Sequence, residues 1–288
     1  GLINLENLIV KFGLDHIRFT PSPDVVRKTS RHAFNIMGDP FWHEHAGIYT
    51  YPVQVAVEKK IPLIIWGEYG YMDLVGMFSH NDFIEMSKKL REEHGMRGYD
   101  PESFLEGNEE GLTLRDIPWS IYPSDDEIEA VGVKGIYLGN YIDWNPIKQT
   151  NLMIELYDFK TDFKERTFNT YENVECYFND TVHDYKKFFK FGYGRATDHA
   201  SQLIRLGLIT REEGLKLVRS YDAIGYYNKL DEYLEWIGIS KIEWFEKMLE
   251  ERDDRAEIND QLPESEKTHL MGIFKQNLAG RREGRIFV

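Results

Sequence analysis

The sequence predicts an α/β protein, with a doubly wound, mostly parallel sheet that lacks its first strand and a helical C-terminal region behind it. Three observations predict this. The run Pro62-Leu63-Ile64-Ile65-Trp66 is continuously apolar and stops at Gly67-Glu68, as a buried parallel strand does. Val133-Lys134-Gly135-Ile136-Tyr137-Leu138-Gly139-Asn140 reads as another such strand, with a Gly-Asn exit. Helical segments separate the strand signals, and strand–helix–helix–strand order calls for right-handed crossovers. The expected division is 1–158 for the α/β part, 159–252 for the helices and 253–288 for a charged tail.

Taken in order, Leu5, Leu8, Ile9 and Phe12 repeat at helical spacing, and Gly13 is a natural stop. His16-Ile17-Arg18-Phe19-Thr20 carries a short strand signal. Pro21 and Pro23 punctuate, and a helix is expected from Asp24 to about Met37, closed by Gly38-Asp39-Pro40. Another is expected over 51–59, with Pro52 in its first turn, and one more over 79–95. Residues 100–111 are polar and acidic, like a surface insertion. Beyond about residue 145 the pattern is amphipathic helix, at 183–190, 197–206, 210–220, 229–237 and 240–251.

Composition narrows the function classes. A net charge of -14 repels phosphate backbones, so nucleic acid and anionic membranes are not expected partners. The single cysteine, Cys176, permits no internal disulfide, and reads as a buried apolar residue or, less simply, a nucleophile. No apolar run reaches the roughly 18 residues of a membrane span, and no basic-then-apolar leader opens the sequence. These features predict a cytoplasmic protein.

Four segments carry candidate chemistry. Trp66-Gly67-Glu68-Tyr69-Gly70-Tyr71-Met72-Asp73 follows the first apolar strand, where ligands of open sheets bind. There Trp66, Gly67 and Asp73 are candidate cofactor contacts and Glu68 a candidate catalytic group, and Glu68 with Asp73 would hold Mg²⁺ or a substrate hydroxyl, unless both acids are merely solvated. In Phe191-Gly192-Tyr193-Gly194-Arg195-Ala196-Thr197-Asp198-His199-Ala200-Ser201, free backbone N–H groups and a fixed cation suit an anion. Gly192, Gly194, Arg195 and Ser201 are the candidate substrate contacts, and Asp198 and His199 the acid/base or orienting groups. The alternative is a helix–Gly–helix junction capped by Thr197. Trp42-His43-Glu44-His45 offers two zinc-type ligands without a third at recognisable spacing, so polar loop histidines are the simpler reading. His183-Asp184 reads as a helix-start pair. At the second strand exit, Asn140 and Tyr141 would bond sugar hydroxyls and Trp144 would stack on a ring, or the strand residues simply pack.

These segments together resemble the N-acetyl sugar amidotransferases of bacterial surface-polysaccharide and flagellin-sugar biosynthesis, a branch of the PP-loop ATP pyrophosphatases. The matching stretches are Asn4-Leu5-Glu6-Asn7-Leu8, Asp15 to Thr20, Pro62 to Glu68, Gly135 to Tyr141, Lys190 to Ser201, and Arg205-Leu206-Gly207 with Thr210-Arg211-Glu212-Glu213-Gly214. The resemblance implies a PP-loop α/β domain followed by helices. It implies that ATP, with Mg²⁺, activates the acetamido group of a nucleotide-linked N-acetyl sugar as an adenylate, and that ammonia then replaces AMP to leave an acetamidino group. Ammonia would come from a glutaminase and a barrel-type partner subunit. Two departures stand out. The Ser-Gly-Gly-x-Asp-Ser phosphate loop is missing from the sequence, and is expected upstream of Gly1; without it the chain is not expected to adenylate anything alone. The family pattern also has cysteines flanking Trp42-His43, where this chain has Phe41 and Glu44. Two alternatives remain: a non-catalytic scaffold subunit, and a PP-loop ATPase acting on another amide or on tRNA, the last disfavoured by the acidic balance.

Overall fold

The computed structural model describes residues 2–67, 85–142, 144–171, 179–222 and 228–251. Two compact units divide the chain: Phe19–Trp144, and Gly1–Arg18 together with Asn145–Val288.

In the Phe19–Trp144 unit, α2 (Pro23–Met37) follows its two prolines as expected, and Gly38 ends it in a left-handed conformation with φ 63°. The next helix, α3 (Trp42–Lys59), begins more than two turns earlier than its periodicity suggested. Pro52 therefore lies inside it, removing the N–H that Ile48 O would accept; Ile48 is exposed, so that carbonyl can turn to water. The Trp42-His43-Glu44-His45 segment is thus helix and not loop. Burial pushes His43 down to about 4, which keeps it neutral, and His45 Nε2 lies 2.6 Å from an Arg97 nitrogen. No metal-binding group of three or more His, Cys, Asp or Glu occurs among the described residues.

The core of this unit forms where Trp42 stacks on Phe104, their rings 3.7 Å apart and 5° from parallel, with Ala33, Ala46, Met96, Ile117 and Trp119 around them. Phe104 belongs to α4 (Pro101–Phe104), whose N-terminus Asp100 caps by accepting from Ser103 N at 2.7 Å. Residues 100–111 are therefore no surface insertion, since Phe104 is 0% exposed. In the expected 79–95 helix, residues 79–84 lie outside the described part, and Leu90–Gly95 is wound as a π-helical turn.

The expected doubly wound sheet is not what the structure contains. Among the described residues the chain is mostly helical, and its sheet has two parallel strands of 4 residues each, β1 (Leu63–Trp66) and β2 (Lys134–Tyr137). Their register runs from Leu63↔Lys134 to Trp66↔Tyr137. One face packs through Ile64 and Val133 onto Val53 and Ala56 of α3 and Ile128 of α5 (Asp125–Val131). The other is open, with Leu63 47% and Ile65 56% exposed, so β1 is not a strand buried on both faces. His16–Thr20 joins no ladder among the described residues and runs as irregular chain. An apolar run of this length signals a strand but does not reveal how many neighbours it has.

In the other unit, α1 (Leu2–Phe12) lies against α6 (Pro146–Tyr157), a helix the sequence pattern did not reveal. Phe12 and Tyr157 stack at 4.4 Å, and Asn4 exchanges bonds with the Lys160 backbone, at 2.9 and 2.8 Å. The later helices fall close to expectation: α7 (Asn179–Phe191), α8 (Arg195–Arg205), α9 (Arg211–Tyr221), α10 (Asn228–Ile237) and α11 (Lys241–Glu250). Full capping boxes start α9 (Thr210 with Glu213) and α11 (Ser240 with Glu243).

Candidate functional site

Two groups of residues hold the sequence-predicted site positions, one in each unit. The first is the junction between α7 and α8. Gly192, at φ 75°, ends α7 by donating its N–H to Phe188 O at 2.9 Å, and Gly194 begins α8 with no side chain to cap it. The free N–H groups are taken instead by Asp222, just past the end of α9. Its carboxylate accepts from Gly194 N at 2.8 Å, Ala196 N at 2.9 Å, Thr197 N at 3.4 Å and the Thr197 hydroxyl. The antiparallel return of α9 brings it there, with Gly214 of α9 closely packed on Ile204 and Ala200 of α8. An added Cβ on Gly194 would lie 2.6 Å from Asp222 Oδ1, so a side chain here would force the Asp222 carboxylate to shift. Asp222 is 4% exposed; burial pushes its carboxyl up, against the lowering pull of Thr197 and Gly194.

This is the nest that the Gly-Tyr-Gly-Arg string promised, but its anion is internal. Arg195 is likewise engaged. Its Nε donates to Asp184 Oδ1 at 3.0 Å, a second guanidinium nitrogen lies 2.9 Å from the same oxygen, and the third is 3.8 Å from Asp198. Asp184 is buried, which alone would raise its carboxyl; Arg195 and His183 outweigh that and hold it well below the usual carboxylate range. Asp198 pairs with Lys187, whose ammonium also sits 5.0 Å above the Tyr193 ring. Burial lowers the Lys187 ammonium, against the support of Asp198. His199 is buried with Nδ1 2.6 Å from Thr167 Oγ1, and Ser201 lies half-buried on α8. Arg166, buried, donates to Asp222 O at 2.7 Å. Opposite charges alternate through the junction, each held by the next. Such a network fixes one helix arrangement and resists opening, because removing a member leaves a buried charge without its partner.

The second group sits at the C-terminal ends of β1 and β2. Because the strands are parallel and Trp66 pairs with Tyr137, both exits leave at one edge. Trp66 and Tyr137 stack with ring centres 6.2 Å apart, and Gly67 follows Trp66. β2 passes through a short 3₁₀ turn, Leu138–Asn140, to Tyr141. A carboxylate that sequence reasoning missed, Glu85, ties this exit down. It accepts from Tyr137 N at 3.1 Å and from the Tyr141 hydroxyl at 2.6 Å, and this bond pushes the Tyr141 phenol up.

The structure therefore brings Gly192, Gly194, Arg195, Asp198 and His199 together in one unit, and Trp66, Gly67, Asn140 and Tyr141 at one sheet edge in the other. Glu68, Asp73 and Cys176 lie outside the described residues. Missed were Arg166, Lys187, Asp222 and Glu85. Asp184 was noticed, but as a helix-start residue, not as the acid that holds Arg195. No local pattern marks Asp222, since its partners lie 25 to 28 residues away.

Residues 165–267 match the family model described as "LPS biosynthesis protein WbpG-like, C-terminal domain". The match covers the part of the chain that builds the charged junction, and the matching family is described as one of lipopolysaccharide biosynthesis. No curated protein matches the chain significantly. Among the described residues no helix is long and apolar enough to cross a membrane.

Proposed function

We propose that this chain serves an ATP-dependent amidotransferase that converts the acetamido group of a nucleotide-linked N-acetyl sugar into an acetamidino group on the way to lipopolysaccharide. The single observation that carries the reading is the family match over residues 165–267, which spans the Gly192–Ser201 string on which the resemblance is most specific. An amide is a poor electrophile, so the carbonyl oxygen must first be made a leaving group. Attack of that oxygen on the α-phosphorus of ATP releases pyrophosphate and leaves an O-adenylated imidate. Ammonia then adds to the imidate carbon, AMP departs with the oxygen, and a proton is lost to give the amidine.

The described residues contribute to this unevenly. The N-terminus of α8 is filled by Asp222, so the junction orders the helical unit and is not an open phosphate cradle. Among the described residues there is no group of three or more His, Cys, Asp or Glu that could hold a metal, and no step is assigned to a metal here. Among the described residues, the edge at Trp66, Gly67, Asn140 and Tyr141 is the part this reading gives to a substrate. The test uses the full-length protein with its glutaminase and barrel-type partners, or with ammonium in their place. Incubated with a uridine-diphosphate N-acetylhexosamine and ATP, it should release AMP and pyrophosphate in equal amounts. The product should be a basic nucleotide sugar whose mass differs by the exchange of O for NH. Absence of pyrophosphate release across a panel of such sugars would end the reading.

The internal filling of the nest favours a second one, a non-catalytic subunit whose helical unit scaffolds its partners. It predicts a stable complex with the glutaminase and barrel subunits, and no turnover from any combination of them.

A further inference from the structure

We propose that the sheet edge in the Phe19–Trp144 unit binds a hydroxylated ring, a pyranose or a ribose, with Tyr141 as the stacking face and Glu85 as the residue that positions it. The inference rests on the nucleotide-sugar reading and narrows it to one part of the ligand. Tyr141 is 61% exposed, yet its hydroxyl is committed to Glu85 Oε1 at 2.6 Å. The other end of the residue is held as well, its N–H donating to Leu138 O at 3.0 Å. An exposed tyrosine normally samples several rotamers; one fixed at both ends presents its ring in a single orientation and loses little freedom when something stacks on it.

The same carboxylate decides which chemistry suits the edge. Glu85 Oε2 is anchored by the Tyr137 N–H of β2, so the group moves with the strand. A carboxylate has roughly four lone-pair sites, of which these bonds occupy two. Glu85 has no ion pair among the described residues, so it would repel a phosphate and accept from ring hydroxyls. A flat exposed aromatic beside an unneutralised acceptor suits the uncharged, hydroxyl-rich part of a nucleotide sugar or of ATP, and disfavours their phosphates.

Isothermal titration calorimetry on the full-length protein tests this with three probes: a uridine-diphosphate N-acetylhexosamine, ATP and inorganic pyrophosphate. Tyr141→Ala should weaken one of the two ring-bearing probes by about tenfold or more, the size of a lost stacking contact. Tyr141→Phe keeps the ring but not its tether, and should weaken the same probe by only about threefold. Glu85→Gln keeps the shape, removes the charge and should fall between the two. Pyrophosphate binding should be unchanged in all three. A loss confined to the nucleotide sugar identifies the pyranose as occupant, and a loss confined to ATP identifies the ribose. Unchanged affinity for both in Tyr141→Ala and Glu85→Gln proteins that melt like the parent overturns the proposal, as does failure of the parent to bind either probe. Turnover is scored separately: binding that depends on Tyr141 in a protein that never amidates leaves this site standing and removes the amidotransferase reading.

Discussion

The α7–α8 junction and the β1–β2 edge both carry residues suited to ligands, and they use them in opposite ways. At the junction, glycines, an arginine and a helix N-terminus meet an internal carboxylate, and the charges of Arg195, Asp184, Asp198 and Lys187 are spent on one another. At the edge, a single carboxylate holds an exposed tyrosine and meets no cation among the described residues. The motif richer in phosphate-binding signals is built into the fold, while the plainer one faces outward. Free N–H groups at a helix start attract any anion, and one supplied by the same chain is present at a far higher effective concentration than a dissolved ligand.

If the junction is structural, its variants must unfold the protein before they touch binding. The largest effect is expected from Arg195→Ala, which leaves the buried Asp184 carboxylate without its cation. Denaturant unfolding should show a loss of about 3–5 kcal/mol, the usual result of breaking a buried pair. A loss below about 1 kcal/mol, the range of an exposed pair, would show that the Arg195–Asp184 pair does not hold the junction together. Next comes Asp222→Ala, expected to cost about 2–3 kcal/mol because several donors at the start of α8 lose their acceptor.

Gly194→Ala sharpens the point. Its φ of −113° is open to any residue, so the penalty of about 1–3 kcal/mol comes only from crowding Asp222. In the background of Asp222→Ala that penalty should largely vanish. Additive losses in a double-mutant cycle would mean that the contact is not the cause.

The smallest effect is on pH dependence. Asp184 is depressed in the folded state, so its contribution is present above the ordinary value of 3.8 and is lost as pH falls toward the folded value. Asp222 is raised, so its sign is reversed: stability is gained as pH falls through the raised value toward 3.8. The two act with opposite sign in adjoining windows, Asp222 above 3.8 and Asp184 below it. Asp222→Asn should remove the gain and steepen the loss of stability on acidification, as read from denaturation midpoints across the acid range. An unchanged slope would mean that Asp222 titrates as an ordinary carboxyl.

Much of the helical part was legible because its signals are local. Thr210 with Glu213 and Ser240 with Glu243 announce helix starts within one turn, and the helices begin there. The glycine and arginine string was also recognisable as a helix junction. The carboxylate that takes its N–H groups was not legible, because Asp222 is remote in sequence and nothing near it marks its target. The doubly wound sheet failed for a related reason: apolar runs announced β1 and β2, but no run states how many strands will lie beside it. Glu85 was invisible because an acid in a predicted helix carries no mark of what it will hold.

Residue order alone determined where the chain turns, where most helices begin and end, and that two apolar stretches form strands, since each depends on contacts within a few residues. Only the folded chain decided that the sheet stops at two described strands, that Phe104 enters the core, that Asp222 fills the α8 nest and that Tyr141 is tethered while exposed. Those outcomes depend on pairings between distant residues. Their strength comes from burial and from the exclusion of water, which no short stretch of sequence carries by itself.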